Sequence, residues 1–248
     1  MERREFLKYT ALTGVGFSFA SCSSNKNNSQ IQGENSPIVS PVAMDLPLKV
    51  GFVYLGPVND FGWTYAHDLG RREMEASLQG KVRSTFVENV STDAEAQRVI
   101  RQLALDGNNL IFTTSFGYMN PTLKVAKDFP NVFFENCSGY KRAKNVSTYL
   151  GRFEETRYLT GMIAGKMTKS NIIGFIAAYP IPEVIRGIGA FAQGLKSTNL
   201  RAKIKVVWIQ SWYEPTKERE AAQALINLGA DVLTQHTDSA AAIQLAGE

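Results

Sequence analysis

The sequence predicts an α/β protein of two lobes, each built on a parallel sheet, the second of them incomplete. Three observations predict it. Short apolar, β-branched runs alternate with helix-like runs from Leu48 onward. The apolar runs are near-continuous, as in strands buried on both faces of a parallel sheet. The alternation also restarts after a long helical stretch, in a chain whose 248 residues suffice for one large domain or two small ones.

The first lobe is expected over residues 48–170. Its strands are "LKVGFVYL", "KVRSTFVENV", "NLIFTTSF", "NVFFENC" and "NVSTYLGRF". The helix after the first strand is "YAHDLGRREMEASL", whose Arg71 and Arg72 are expected to face water. The clearest helix is "STDAEAQRVIRQLALDG": Thr92 can cap it and Glu95 completes a capping box. Val99 and Leu103 mark its apolar face, and Gly107 is placed to stop it. "YMNPTLKVAKDFP" offers Asn120 as cap and Pro121 in the first turn. The helix "EETRYLTGMIAGKMTKS" closes the lobe, and its Gly161, Ala164 and Gly165 predict close packing.

A seam near residues 168–171 leads to the second lobe, residues 171–248. Here the order is "NIIGFIAAY", helix "PEVIRGIGAFAQGLKS", "IKVVWIQSW", helix "EPTKEREAAQALINLGA", "DVLTQHT" and helix "DSAAAIQLAGE". The cluster "PTKERE" reads as a solvated helix face. Three parallel strands with so few helices bury little area, so the lobe reads as truncated relative to a complete two-lobe protein.

Before the lobes, "MERREFLKYTALTGVGFSFASC" joins Arg3 and Arg4 to a short, weakly apolar segment. This is the pattern of a Tat-type export signal, too short and polar to span a bilayer. "FASC" matches a lipobox, which implies cleavage before Cys22 and lipidation of its thiol. Residues 1–22 are therefore expected to be a lipoprotein signal, and the Ser-, Asn- and Pro-rich residues 23–47 a flexible linker. The folded body would be exported and lipid-anchored to the cell membrane, facing the periplasm or the exterior. With Cys22 acylated, Cys137 stands alone, so no intramolecular disulfide is expected and Cys137 is a small packed side chain.

In an open parallel sheet, ligands bind beyond the carboxyl ends of the strands. The first strand delivers Asp60, Phe61 and Trp63; the third delivers Ser115, Phe116 and Tyr118. The second lobe delivers Tyr179, Pro180 and Glu183, then Trp212 and Tyr213, then Thr237 and Asp238. Any one of these aromatics can be core capping the sheet. Together with the acids, they suit a flat, uncharged, nitrogen-rich ring: aromatic faces stack on it and carboxylates accept from its N–H groups.

Other chemistries lack their residues. A formal charge of +4 is too mild to argue for nucleic acid. No dinucleotide or P-loop glycine pattern follows a strand, and "GIGAFAQG" falls inside a helical pattern. With two His residues and neither H-E-x-x-H nor C-x-x-C, no metal site is expected, and His67 reads as a surface or cleft histidine. No nucleophile elbow or Ser/His/Asp set is apparent, so no enzyme and no cofactor is expected.

Four stretches, "GPVNDFGWTYAHDLGRR", "SFGYMNP", "GRFEETRYLTGMIAG" and "EPTKEREAAQALINLGADVLTQHTDS", resemble the basic membrane protein (BMP) family over residues 48–248. The resemblance implies a type I periplasmic-binding-protein fold and a substrate-binding lipoprotein of an ABC importer. "GWTYAHD" and "QHTDS" resemble the branch associated with purine bases, adenine especially. It implies that Trp63 stacks on the base and Asp60 bonds the ring edge. Ser115, Phe116 and Tyr118 would line the first-lobe wall, facing Glu183 and Trp212, and Asp238 would accept a ligand proton. The implied partners are a purine or nucleoside and a membrane permease, with the protein a monomer. The competing reading is a ligand-sensing or surface lipoprotein on the same fold, which a neighbouring permease gene would argue against.

Overall fold

The computed structural model describes residues 47–92 and 94–248. The signal, the lipidation site at Cys22 and nearly all of the linker expected from the sequence lie outside them.

The first sheet holds β1 (Leu48–Val53), β2 (Val82–Val87), β3 (Leu110–Thr113), β4 (Phe133–Cys137) and β5 (Val146–Tyr149), in the order β2-β1-β3-β4-β5. Every pairing is parallel, with Val50 opposite Ser84 on one side and Leu110 on the other. α1 (Trp63–Leu78) covers one face, where Met74 packs on Val50, Phe52 and Tyr54. α2 (Ala94–Leu105) and α3 (Met119–Ala126) cover the other, burying Ile100, Leu103 and Val125 with Ile111 and Phe134. α2 has the apolar face its period predicts, and Gly107, at φ +82°, turns the chain out of it.

The second sheet is parallel with the order β7-β6-β8, from β6 (Ile172–Ala177), β7 (Lys203–Trp208) and β8 (Val232–Gln235). α5 (Pro182–Thr198) lies on one face; α6 (Pro215–Asn227) and α7 (Ala241–Ala246) lie on the other. Side chains such as Phe175 and Phe191, each at most 1% exposed, contribute about 2–3 kcal/mol apiece by burial.

Packing moves several sequence expectations. α4 (Phe153–Met167) joins the second sheet's core, with Ala164 packed among Ile173, Phe191 and Leu195, so by packing the seam precedes α4. The α4–α5 crossing is close because glycines make it. A Cβ on Gly161 would lie 2.1 Å from the Phe191 carbonyl oxygen, and one on Gly194 would lie 1.9 Å from that of Tyr158. Asn120 is not a cap: a 3₁₀ turn over Phe116–Tyr118 runs directly into α3, and Tyr118 takes the cap position. Glu95 reaches back to Ser91, from which its carboxylate accepts both the amide and the hydroxyl hydrogen.

Arg71 does not face water. It donates to buried Asp68 at 2.7 Å and to Ser84 at 3.0 Å and lies over Phe86, while Arg72 stays more than half exposed. "PTKERE" is not wholly solvated, because Glu218 within it is fully buried. Cys137 is buried and free, and burial pushes its thiol up to about 12.

Candidate functional site

Each sheet reverses its strand order once, and ligands in such sheets bind at that point. In the first sheet the chain goes from β1 outward to β2, then back across to β3. The side chains at this reversal come from the β1–α1 loop and the turn after β3. In the second sheet it goes from β6 to β7, then back to β8. There the side chains come from the start of α5 and the turn after β8. Both reversals open on one cavity of about 30 Å³. It is lined by Leu55, Trp63, Ser115, Phe116 and Ser138 from the first sheet's loops. Glu183, Trp212, His236 and Asp238 line it from the second.

Trp63 begins α1 and is fixed by its own ring: the indole Nε1 donates to the Thr114 carbonyl, at 2.5 Å, just past β3. Its ring centroid lies 6.0 Å from that of Phe153. Trp212 is flanked by Tyr179 and His236, with centroids 5.3 and 5.9 Å away. Ser115 caps the 3₁₀ turn by accepting from Gly117 N–H, and its carbonyl takes the buried Asn136 amide at 2.9 Å. That network ties the turn after β3 to β4.

Two expected site residues are placed elsewhere. The Asp60 carboxylate accepts from the backbone N–H groups of Gly62, Thr64 and Tyr65 at 2.8–2.9 Å and is 2% exposed. It satisfies the free amides of the first turn of α1 and does not reach the cavity. Tyr118 is fully buried in the core between α2 and α3, and its hydroxyl donates to the Val90 carbonyl at 2.5 Å. It stands behind the first-lobe wall instead of lining it. His67 also stays outside, its Nδ1 2.8 Å from the Trp63 carbonyl oxygen.

Three lining residues escape the sequence reading. Ser138 directly follows β4, at φ +65°, so the strand-end rule applied to β4 finds it. His236 directly follows β8, and Leu55 lies two residues past β1. A fourth, Glu218, acts from beneath. One carboxylate oxygen accepts the Thr237 hydroxyl at 2.8 Å and the Ser239 amide at 3.2 Å; the other accepts the Glu214 amide at 3.1 Å. It thus clamps the turn that carries Asp238 to the start of α6.

The electrostatics are those of buried acids without a strong counter-ion. Burial pushes the Asp238 carboxyl up to about 8, helped by the nearby charges of Asp60, Glu218 and Glu183 and opposed by the Trp63 backbone N–H. Burial likewise raises Glu183, against the Ser138 hydroxyl and the more distant Arg186 and Arg157. His236, 3.9 Å from Glu183, is pushed down to about 4 by burial and by Arg157, so it is neutral at pH 7. Its buried Nδ1 has no hydrogen-bond partner. Among the described residues no cluster of His, Cys, Asp and Glu could hold a metal ion.

Two openings flank the cavity. One, of about 650 Å³, is walled by Asn89, Ser91, Tyr179, Ser211 and Tyr213 and shares Phe116 and Trp212 with the centre. The other, of about 250 Å³, carries Arg157, Arg186 and Glu154 and shares Trp63, Glu183 and Asp238. The arrangement offers aromatic faces, hydrogen-bond acceptors and a few hydroxyls, at a centre far smaller than the roughly 300–1,000 Å³ sites that hold small ligands. A ring enters only when the two walls separate.

Comparison with known proteins gives a consistent answer. The family described as ABC transporter substrate-binding protein, PnrA-like (Bmp), matches residues 48–248. A protein of Brucella abortus named as purine-binding is 56% identical over 199 residues, covering 80% of this chain and 57% of that one. A Haloferax volcanii protein named as a candidate ABC transporter glucose-binding protein is 40% identical over 201 residues, covering 81% and 51%. The chain therefore spans little more than half the length of these relatives. A solved ABC transporter solute-binding protein of Aeropyrum pernix superposes with a TM-score of 0.72 at 22% identity, covering 81% of this chain and 58% of that one. That likeness carries the fold.

Proposed function

The chain belongs to the Bmp family of PnrA-like ABC transporter substrate-binding proteins, and on that premise we propose that it captures a purine base or nucleoside between its two sheets. One observation carries the reading: aromatic rings and carboxyls from the carboxyl ends of both sheets converge on a single cavity. The ring slots between Trp63 and the facing aromatics Phe116 and Trp212. Glu183 and Asp238 accept its N–H groups, and Ser115 adds a hydroxyl. Binding proteins of this architecture close by hinge motion around a ligand, and burial then strengthens each hydrogen bond in the drier cleft.

Delivery to a membrane permease completes the proposal, with the protein acting as a monomer. Export by the N-terminal signal and acylation of Cys22 would hold the body near the membrane. No helix among the described residues is long and apolar enough to cross a bilayer.

The Haloferax relative supports a second reading, a sugar in the same cleft. Calorimetric titration with adenine, guanine, hypoxanthine, adenosine and glucose separates the two. Saturable, one-site binding of a purine is expected, with glucose silent. Binding of glucose alone would replace the first reading with the second.

A further inference from the structure

The charges of the second lobe are divided unevenly between its two ends, whatever ligand the cleft takes. From Lys166 to Lys205 the only acid in the sequence is Glu183, and it lies at the cavity. Five bases gather at the opposite end, around the amino ends of β6 and β7. Lys166 lies in the last turn of α4 and Lys169 just after it. Lys196 lies in the last turn of α5, Arg201 in the turn that follows, and Lys203 opens β7.

Asn199 ties these segments into one surface. Its side-chain amide donates to the Gly165 carbonyl at 3.2 Å and to Asn171 Oδ1 at 2.9 Å. The Lys203 N–H donates to the Asn171 carbonyl at 2.8 Å. All five bases are exposed, and among the described residues none of them makes an ion pair. An acid at this end, Asp231, already accepts from the Thr168 hydroxyl and the Lys169 and Ser170 amides, at 2.6–2.9 Å. Two bare apolar side chains stand among the bases: Leu200, 86% exposed, and Met167, 65% exposed. A shallow hollow of about 570 Å³ is lined by Lys196, Leu200 and Arg201.

The needs of the fold account for only part of this. Cations suit helix C-termini, which explains Lys166 and Lys196. A lysine on an edge strand deters edge-to-edge pairing, which explains Lys203 on β7. Lys169, Arg201 and Leu200 serve neither purpose. A phosphate-bearing partner alone would explain the bases but has no use for the leucine. A bilayer surface supplies both an anionic headgroup layer and an apolar boundary beneath it.

We propose that this end of the second sheet is a docking surface for anionic phospholipid headgroups, with Leu200 and Met167 entering the apolar boundary. The contact lies at the end of the strands away from the cavity, so the cleft stays open to ligand while the body rests on the membrane.

The test places an environment-sensitive fluorophore on Ser197→Cys in the full chain carrying Cys22→Ser, where Cys137 is buried. The label reads the patch itself, so attraction of the N-terminal Arg3, Arg4 and Lys8 to the same vesicles does not imitate the signal. Vesicles of mixed phosphatidylglycerol and phosphatidylcholine should shift its emission to the blue, and high salt should reverse the shift. Vesicles of phosphatidylcholine alone should leave it unchanged. Removing one base weakens such binding about fivefold, so Lys169→Gln, Arg201→Gln and Lys203→Gln together should raise the lipid needed for half the shift about a hundredfold. Leu200→Ser should reduce the shift itself. No shift on the anionic vesicles, or an equal shift on both kinds, would overturn the proposal. So would an unchanged lipid requirement in a triple variant whose circular dichroism matches the parent. The comparison of lipids and salt uses none of the charge variants, so it decides the question even if the triple variant fails to fold.

Discussion

Two acidic turns stand on either side of the cleft, and they use their carboxylates differently. Asp60, in the turn after β1, accepts three amide hydrogens of its own helix and is closed off. Asp238, in the turn after β8, is relieved of that task, because Glu218 on a neighbouring helix holds the turn from beneath. An acid that builds the backbone is consumed by it. An acid whose loop is built by another residue remains free for a ligand. The difference lies in who satisfies the turn's amides, and a one-dimensional pattern does not record that.

The largest effect is expected at Asp60. Asp60→Ala leaves three helix-start amides short of an acceptor and should cost about 3 kcal/mol of stability, read by urea denaturation. A loss below about 1 kcal/mol would mean that water replaces the carboxylate easily. Glu218→Ala comes next, at about 2 kcal/mol, since it strands a buried hydroxyl and amides of two segments. It should also loosen the turn carrying Asp238 and lower ligand affinity, although Glu218 touches no ligand. Unchanged affinity would separate the clamp from the site.

The smallest effect at low pH belongs to Asp238→Asn, and its sign differs. The folded carboxyl titrates at about 8, above its ordinary value of 3.8, so its folded state prefers the proton. Stability from this group is fully present below about 4, falls as pH rises toward about 8 and is level above. The Asn variant lacks that fall. Melting curves between pH 4 and 9 should therefore show the variant gaining on the parent as pH rises; parallel curves would contradict the buried, unpaired state of Asp238.

Much of the fold was legible because burial on both faces makes parallel strands uniformly apolar. "LKVGFVYL" and "NIIGFIAAY" have no other reading at that length, and they became β1 and β6. The strand-end rule names Trp63, Ser115, Phe116, Glu183, Trp212 and Asp238, which line one cavity, and also Asp60 and Tyr118, which do not; the strand order that makes the reversals is not legible in the sequence. What stayed hidden depends on partners distant in sequence. Tyr118 looks like a wall residue until Val90 takes its hydroxyl. Glu218 looks solvated among Lys217, Arg219 and Glu220 until Thr237 and Ser239 fold over it. α4 reads as the end of the first lobe because it follows β5, but Gly161 and Gly165 fit only against α5. Ser138 carries little signal because β4 ends in "ENC", with no aromatic at the strand end to mark a site.

In the proposed complex Trp63 provides the face on which a purine ring stacks. Calorimetric titration of adenine into the parent chain and into Trp63→Ala tests it most directly. Saturable binding to the parent is expected, with a loss of about 1–3 kcal/mol of binding free energy in a variant whose circular dichroism is unchanged. Equal affinity in a folded Trp63→Ala variant would contradict it.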